Sequence, residues 1–192
     1  LFLQHSSDNK VAAKGEEDGK VQLTSMKDSV KILAICKKIN KQLNREQKVV
    51  VLVRLYELVN ADGKFTEQRM AIINTVADVF KLDRKEVEAI EAFNIHTEIS
   101  KVDFSDILIV NDQSLSLDNA IHLQSGKLDG TIFILRVKSA TLYFIRYIGA
   151  QDIFLNGLLV NPSRIYIFSK GSFVKLPVGK PLYYTDVVAQ FM

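Results

Sequence analysis

The chain has 192 residues, 47% of them hydrophobic and 24% charged, a balance that supports a buried core and excludes a disordered polyelectrolyte. With 25 Lys and Arg against 22 Asp and Glu, the formal net charge is +3, too balanced to make nucleic acid the default partner. Its single cysteine, Cys36, excludes an internal disulfide framework and a cysteine-based zinc site.

The chain begins Leu1-Phe2-Leu3, without a basic n-region or an initiating Met, so no signal peptide is read and a piece of a longer chain is expected. Residues 1–25 show no sustained apolar period and hold Gly15, Gly19 and the run Glu16-Glu17-Asp18. They are expected to form a flexible arm. A first helix from Met26 to Leu43 puts Val30, Leu33, Ile35, Cys36, Ile39 and Leu43 on one stripe, with Cys36 at a core position and its thiol unreactive. Lys27, Lys31, Lys38 and Lys41 fall mostly elsewhere and, with Arg45 and Lys48, are read as a solvated face. Asn44 is placed to cap a second helix, Arg45 to Asn60. Its run Val49-Val50-Val51-Leu52-Val53 is apolar nearly all round, as in the middle of a bundle. No apolar run in the chain is longer than this one, and it falls far short of the roughly 20 residues that span a bilayer, so no transmembrane segment is expected. Thr66 is a good cap for a third helix carrying Ile73, Val76, Ala77 and Phe80. Asp83, with Glu86 three residues on, has the form of a capping box opening a fourth helix.

Beyond residue 100 the composition changes. All nine Glu lie at or before Glu98, while twelve of the seventeen Phe and Tyr and all three Pro lie at or after Phe104. Glu favours helix and aromatic residues favour strands. The expected fold class is therefore segregated α+β: a four-helix bundle over residues 26–99, able to fold alone, then a small all-β sandwich over 100–192. Strands are expected at Asp106 to Val110, Ala120 to Leu123, Thr131 to Val137, Thr141 to Tyr147, Asp152 to Leu155, Arg164 to Phe168, Ser172 to Leu176 and Leu182 to Thr185. Asn156-Gly157, between Ile153-Phe154-Leu155 and Leu158-Leu159-Val160, predicts a type I′ hairpin.

The search for chemistry returns absences. Gly126-Lys127 and Gly179-Lys180 lack the rest of a phosphate-binding loop, so neither nucleotide binding nor ATP hydrolysis is expected and no cofactor is assigned to this chain. His5, His96 and His122 are isolated and are read as structural or surface residues. No G-x-S-x-G elbow occurs. An EF-hand with Gly63 at the loop glycine would need Leu58 and Arg69 as ligands, so Asp62-Gly63 reads as a helix-ending turn. No catalytic or metal residue is assigned. Asn156, Gly157 and Arg164 are the candidate interaction residues, at one end of the β half where binding loops gather.

Two stretches resemble known families. Leu55-Tyr56-Glu57-Leu58-Val59-Asn60-Ala61-Asp62-Gly63-Lys64-Phe65-Thr66-Glu67, continuing through Ile73-Asn74-Thr75-Val76-Ala77 to Phe80, resembles the helix-DG-helix core of TerB-like domains, all-α modules first met in tellurite-resistance proteins. Arg69 and Met70 stand where acidic residues are common in that family, so no metal role is carried over. Asp152-Ile153-Phe154-Leu155-Asn156-Gly157 and Ser169-Lys170-Gly171-Ser172-Phe173-Val174 resemble the later strands of a forkhead-associated domain, without the Gly-Arg pair and Ser-x-x-His that read phosphothreonine. Ser29 to Cys36, Asn44 to Val51, the Ala61-Asp62-Gly63 turn and Lys180 to Val188 together resemble the N-terminal region of long Bacteroidetes-type ABC transporters. There a TerB-like bundle and a β module precede an ATP-binding cassette and a G-type membrane domain. The resemblance implies a noncatalytic accessory region whose partner is the cassette of the same parent chain. ATP and Mg would be held only by that cassette, with the parent at the cytoplasmic face of the inner membrane and this piece soluble. The alternative is a free-standing adaptor that binds a protein or phosphopeptide through the loops around Asn156 and Arg164. A third possibility is an enzyme with an unrecognised site.

Overall fold

The computed structural model describes residue 27 and residues 30–61 and 63–192; the arm expected over residues 1–25 and the expected turn residue Asp62 lie outside them. Among the described residues four helices come first: α1 over residues 30–40, α2 (Arg45–Ala61), α3 (Glu67–Val79) and α4 (Arg84–Ile95). Nine strands follow, β1 (Ile107–Asn111), β2 (Ile121–Gln124), β3 (Gly130–Val137), β4 (Leu142–Gly149), β5 (Phe154–Leu155), β6 (Leu158–Leu159), β7 (Ile165–Ile167), β8 (Phe173–Lys175) and β9 (Leu182–Tyr183). A fifth helix, α5 (Tyr184–Gln190), comes last. The chain is α+β, helices first and sheet after.

The helix starts follow local chemistry. Asn44 and Gln47 form a reciprocal cap, the Gln47 N–H donating to Asn44 Oδ1 at 2.9 Å and the Asn44 N–H to Gln47 Oε1 at 3.0 Å. Thr66 Oγ1 accepts from the Arg69 N–H, and Asp83 Oδ1 from those of Lys85 and Glu86. Glu86 does not close the expected box. Its Oε1 instead accepts the Ser139 N–H at 2.8 Å, in the turn Lys138–Ala140 between β3 and β4. A tertiary partner has taken the place of the local one.

The strands form a five-stranded sheet ordered β2-β1-β3-β4-β7 and a four-stranded sheet ordered β6-β5-β8-β9. All pairings are antiparallel except β1 with β2. Successive side chains of a strand point to opposite faces, and here both faces of the larger sheet are buried. One face carries Ile107, Ile109, Phe133, Leu135, Phe144 and Ile165, in one core with Val49, Leu52, Val53 and Tyr56 of α2 and Ile90 and Phe93 of α4. The other carries Leu108, Val110, Ile132, Ile134, Ile145 and Tyr147, in a second core with Leu155, Val174 and Leu182 of the smaller sheet and Val187 of α5.

The architecture is thus three layers, with the larger sheet in the middle, rather than a bundle followed by a free-standing sandwich. Secondary structure switches where the composition does, between α4 and β1, but the hydrophobic core runs straight across residue 100. Two further expectations are corrected. The stripe of α1 is narrower than its sequence suggests: Cys36 is buried with Val76 and Phe80, whereas Val30, Ile35 and Ile39 are exposed, because α1 packs only on the outer side of α2 and α3. Desolvation pushes the Cys36 thiol pKa up, as a core position requires. The last strand gives way to α5 after Tyr183, where Asp186 Oδ2 accepts the Tyr183 N–H and Val187 turns into the second core.

Candidate interaction edge

The site builds up from the hairpin turn. Asn156 and Gly157 have φ of +52° and +85°, the positive values a type I′ turn demands, and β5 pairs with β6 as Leu155 with Leu158 and Phe154 with Leu159. A Cβ on Gly157 would meet nothing within 4 Å, so glycine serves the backbone conformation there and not a close contact. Asn156 is absorbed by the fold. Its Oδ1 accepts the Phe173 N–H at 3.0 Å, its Nδ2 donates to Ser172 Oγ, and its own N–H donates to the Phe173 carbonyl.

β6 ends its sheet. In a two-residue hairpin Leu155 and Leu158 exchange hydrogen bonds across the turn, and the next bond joins the Val160 N–H to the Ile153 carbonyl. The N–H and C=O of Leu159 therefore point outward. Leu158 and Leu159 are 76% and 57% exposed, an unusual state for two adjacent leucines on a free strand edge.

The connection to β7 is rigid. Asn161 Oδ1 accepts the Ser163 N–H, the Asn161 carbonyl accepts the Arg164 N–H, and Tyr166 Oη accepts the Asn161 N–H. This braced turn presents Arg164, exposed and without an ion pair among the described residues. Arg164 and the Asn156-Gly157 turn thus lie at opposite ends of β6, and no hydrogen bond joins them. The next residue belongs to a closed edge. The Ile165 N–H donates to Glu57 Oε1 at 2.9 Å, its carbonyl accepts from Arg54 Nη1 at 2.8 Å, and Arg54 and Glu57 pair at 2.6 Å. The outward groups of Ile165, at the start of β7, are satisfied by side chains of α2.

Arg146 is a residue that the motif reading passes over. It sits on β4, 5% exposed, with its guanidinium between the rings of Phe93 and Phe133, 5.4 and 5.2 Å from their centroids. Nη1 donates to the Asn94 carbonyl at 2.8 Å and Nη2 to the His96 carbonyl. These carbonyls close the C-terminal end of α4, where the helix dipole favours a cation. Burial brings its pKa down to about 10; the guanidinium stays charged and locks α4 to the sheet. A lone charge in the otherwise apolar strand Leu-Tyr-Phe-Ile-Arg-Tyr-Ile was the available signal. His122 is structural, its Nε2 2.9 Å from Asn111 Oδ1 and its pKa lowered by desolvation. His96 serves through its backbone, and His5 lies outside the described residues. Among the described residues no group of three or more His, Cys, Asp or Glu is placed to hold a metal ion, and no helix is long and apolar enough to cross a membrane.

The fold and this edge define an α+β protein with a helical layer on a doubly buried sheet. Residues 6–92 match the family model described as tellurite resistance protein TerB, so the helical N-terminal region is TerB-like. No curated protein and no solved structure matches the chain.

Proposed function

We propose that this chain is a noncatalytic accessory region of an ABC transporter that docks through its β6 edge on the ATP-binding cassette of its parent chain. The observation that carries the docking reading is the open, leucine-bearing edge at Leu158 and Leu159, with Arg164 beside it, next to an edge that the protein has closed. Such an edge supplies main-chain hydrogen bonds for affinity and apolar side chains for fit. The identity of the partner rests on the resemblance of Ser29 to Cys36, Asn44 to Val51 and Lys180 to Val188 to transporter N-terminal regions. A forkhead-associated-like origin of the β module belongs to the same proposal. In this reading ATP and Mg are held by the cassette, at the cytoplasmic face of the inner membrane.

Titration calorimetry of the chain against the cassette encoded in the same reading frame tests it. Leu158→Lys with Leu159→Lys should weaken binding about 1,000-fold, since burying each leucine is worth about 2 kcal/mol, and should leave the melting temperature within a few degrees. Undiminished binding by that variant would remove the β6 edge from the account. A parent gene without a cassette would favour the free-standing adaptor, using the same edge.

A further inference from the structure

The charge of this protein is unevenly placed. Residues 27–45 contain Lys27, Lys31, Lys37, Lys38, Lys41 and Arg45 against Asp28 alone, six positive minus one negative, a net +5. The whole chain carries +3, so the remainder sums to −2. The five lysines are all exposed, and no ion pair engages them among the described residues. Lys31, Lys37 and Lys38 lie in α1 itself; at 100° per residue they fall within about 120° of the helix surface, on the side away from Cys36, which packs on Val76 and Phe80. Val30, 66% exposed, lies within that face near its Lys37 edge, and Ile35, 56% exposed, lies about 40° beyond the Lys31 edge with Ile39 farther round.

We infer that α1 binds the surface of an anionic lipid bilayer, lysines to headgroups and the exposed aliphatic side chains into the interface. Charge complementarity fixes the sign of the partner, and the chemistry of the face fixes its kind. Lysines on flexible stems act as point charges that suit a diffuse anionic surface, whereas recognition of a defined phosphate or base edge favours the bidentate arginine fork, and α1 has no arginine. Nucleic acid would call for aromatic stacking platforms, and residues 30–41 contain no aromatic residue. Aliphatic residues set among lysines are the pattern of helices that lie in the membrane interface. The inference does not rest on the transporter reading, since it uses only the face of α1.

The test is sedimentation of the full chain with vesicles of phosphatidylcholine containing about one-third phosphatidylglycerol, and with vesicles of phosphatidylcholine alone. Binding is expected to the first and not the second, and to fall away between about 0.05 and 0.5 M salt as the charges are screened. Each lysine near an anionic surface is worth about fivefold in affinity, so Lys31→Gln, Lys37→Gln and Lys38→Gln together should weaken binding about 100-fold. These sites are exposed, so the thermal melt should not move; if it does, the salt series on the unaltered chain decides alone. Failure to bind anionic vesicles at low salt, or equal binding by a folded triple variant, would overturn the inference. So would tighter capture by single-stranded DNA than by anionic vesicles at the same salt.

Discussion

The edges at β7 and β6, joined by only five residues of chain, are treated in opposite ways. At β7 the outward N–H and C=O of Ile165 are taken up by Glu57 and Arg54 from α2, so the helical layer closes the edge at that residue. At β6 the outward groups of Leu159 meet no described residue and two leucines stand in solvent. Unpaired strand edges invite association and proteins commonly blunt them with charge or cover. The proposed docking through β6 rests on this difference: one edge is blunted at Ile165 and its neighbour is open and apolar.

The contrast can be broken most completely by removing the sheet. A chain cut after Glu98 leaves Val49, Leu52, Val53, Tyr56 and Phe93 without Ile107, Phe133 and Phe144, and we expect it to lose cooperative thermal unfolding by circular dichroism. A sharp helical melt from the cut chain would instead restore an independent bundle. Next in size is Arg146→Ala, which strips the His96 carbonyl of its donor, leaves the Asn94 carbonyl with Asn60 Nδ2 alone, and opens a cavity between two rings. It should cost about 3 kcal/mol or more in denaturant unfolding. Glu57→Ala leaves the Ile165 N–H without its acceptor and should cost about 1 to 2 kcal/mol. Because it reopens β7, it should also raise self-association in sedimentation velocity. The smallest effect concerns the β2 edge of the larger sheet, opposite β7, where Asp103 accepts the N–H groups of the segment that leads into β2. Burial alone would raise its pKa, but the N–H groups of Ala120, Asn119 and Asp118 donate to its carboxylate and hold the pKa below the ordinary value. The stability this confers is complete above the unfolded carboxyl value of about 3.9 and is lost as pH falls through the lower folded value. The melting difference between the native chain and Asp103→Asn should therefore be constant near neutrality and shrink below about pH 4.

What the sequence reveals is local. Asn156-Gly157 is legible because a two-residue turn dictates its own dihedral angles, and Thr66, Asp83 and Asn44 because a cap is settled within four residues. The strands are legible from their apolar and aromatic runs. What escapes is whatever depends on a neighbour distant in sequence. Glu86 leaves its own helix for Ser139, 53 residues away, and Glu57 reaches Ile165 across 108. Ile107-Leu108-Ile109-Val110 announces a strand buried on both faces without saying that one face belongs to helices. Leu158 and Leu159 have the same letters exposed or buried, so their role as an open edge exists only in three dimensions.

Amide hydrogen exchange of the isolated chain, read residue by residue by NMR, tests the central contrast most directly. The account predicts that the Leu159 amide exchanges quickly while the Ile165 amide, held by Glu57, is protected, and that Glu57→Ala abolishes the difference. A protected Leu159 in the isolated chain, or an Ile165 amide that exchanges as fast as Leu159, would contradict it.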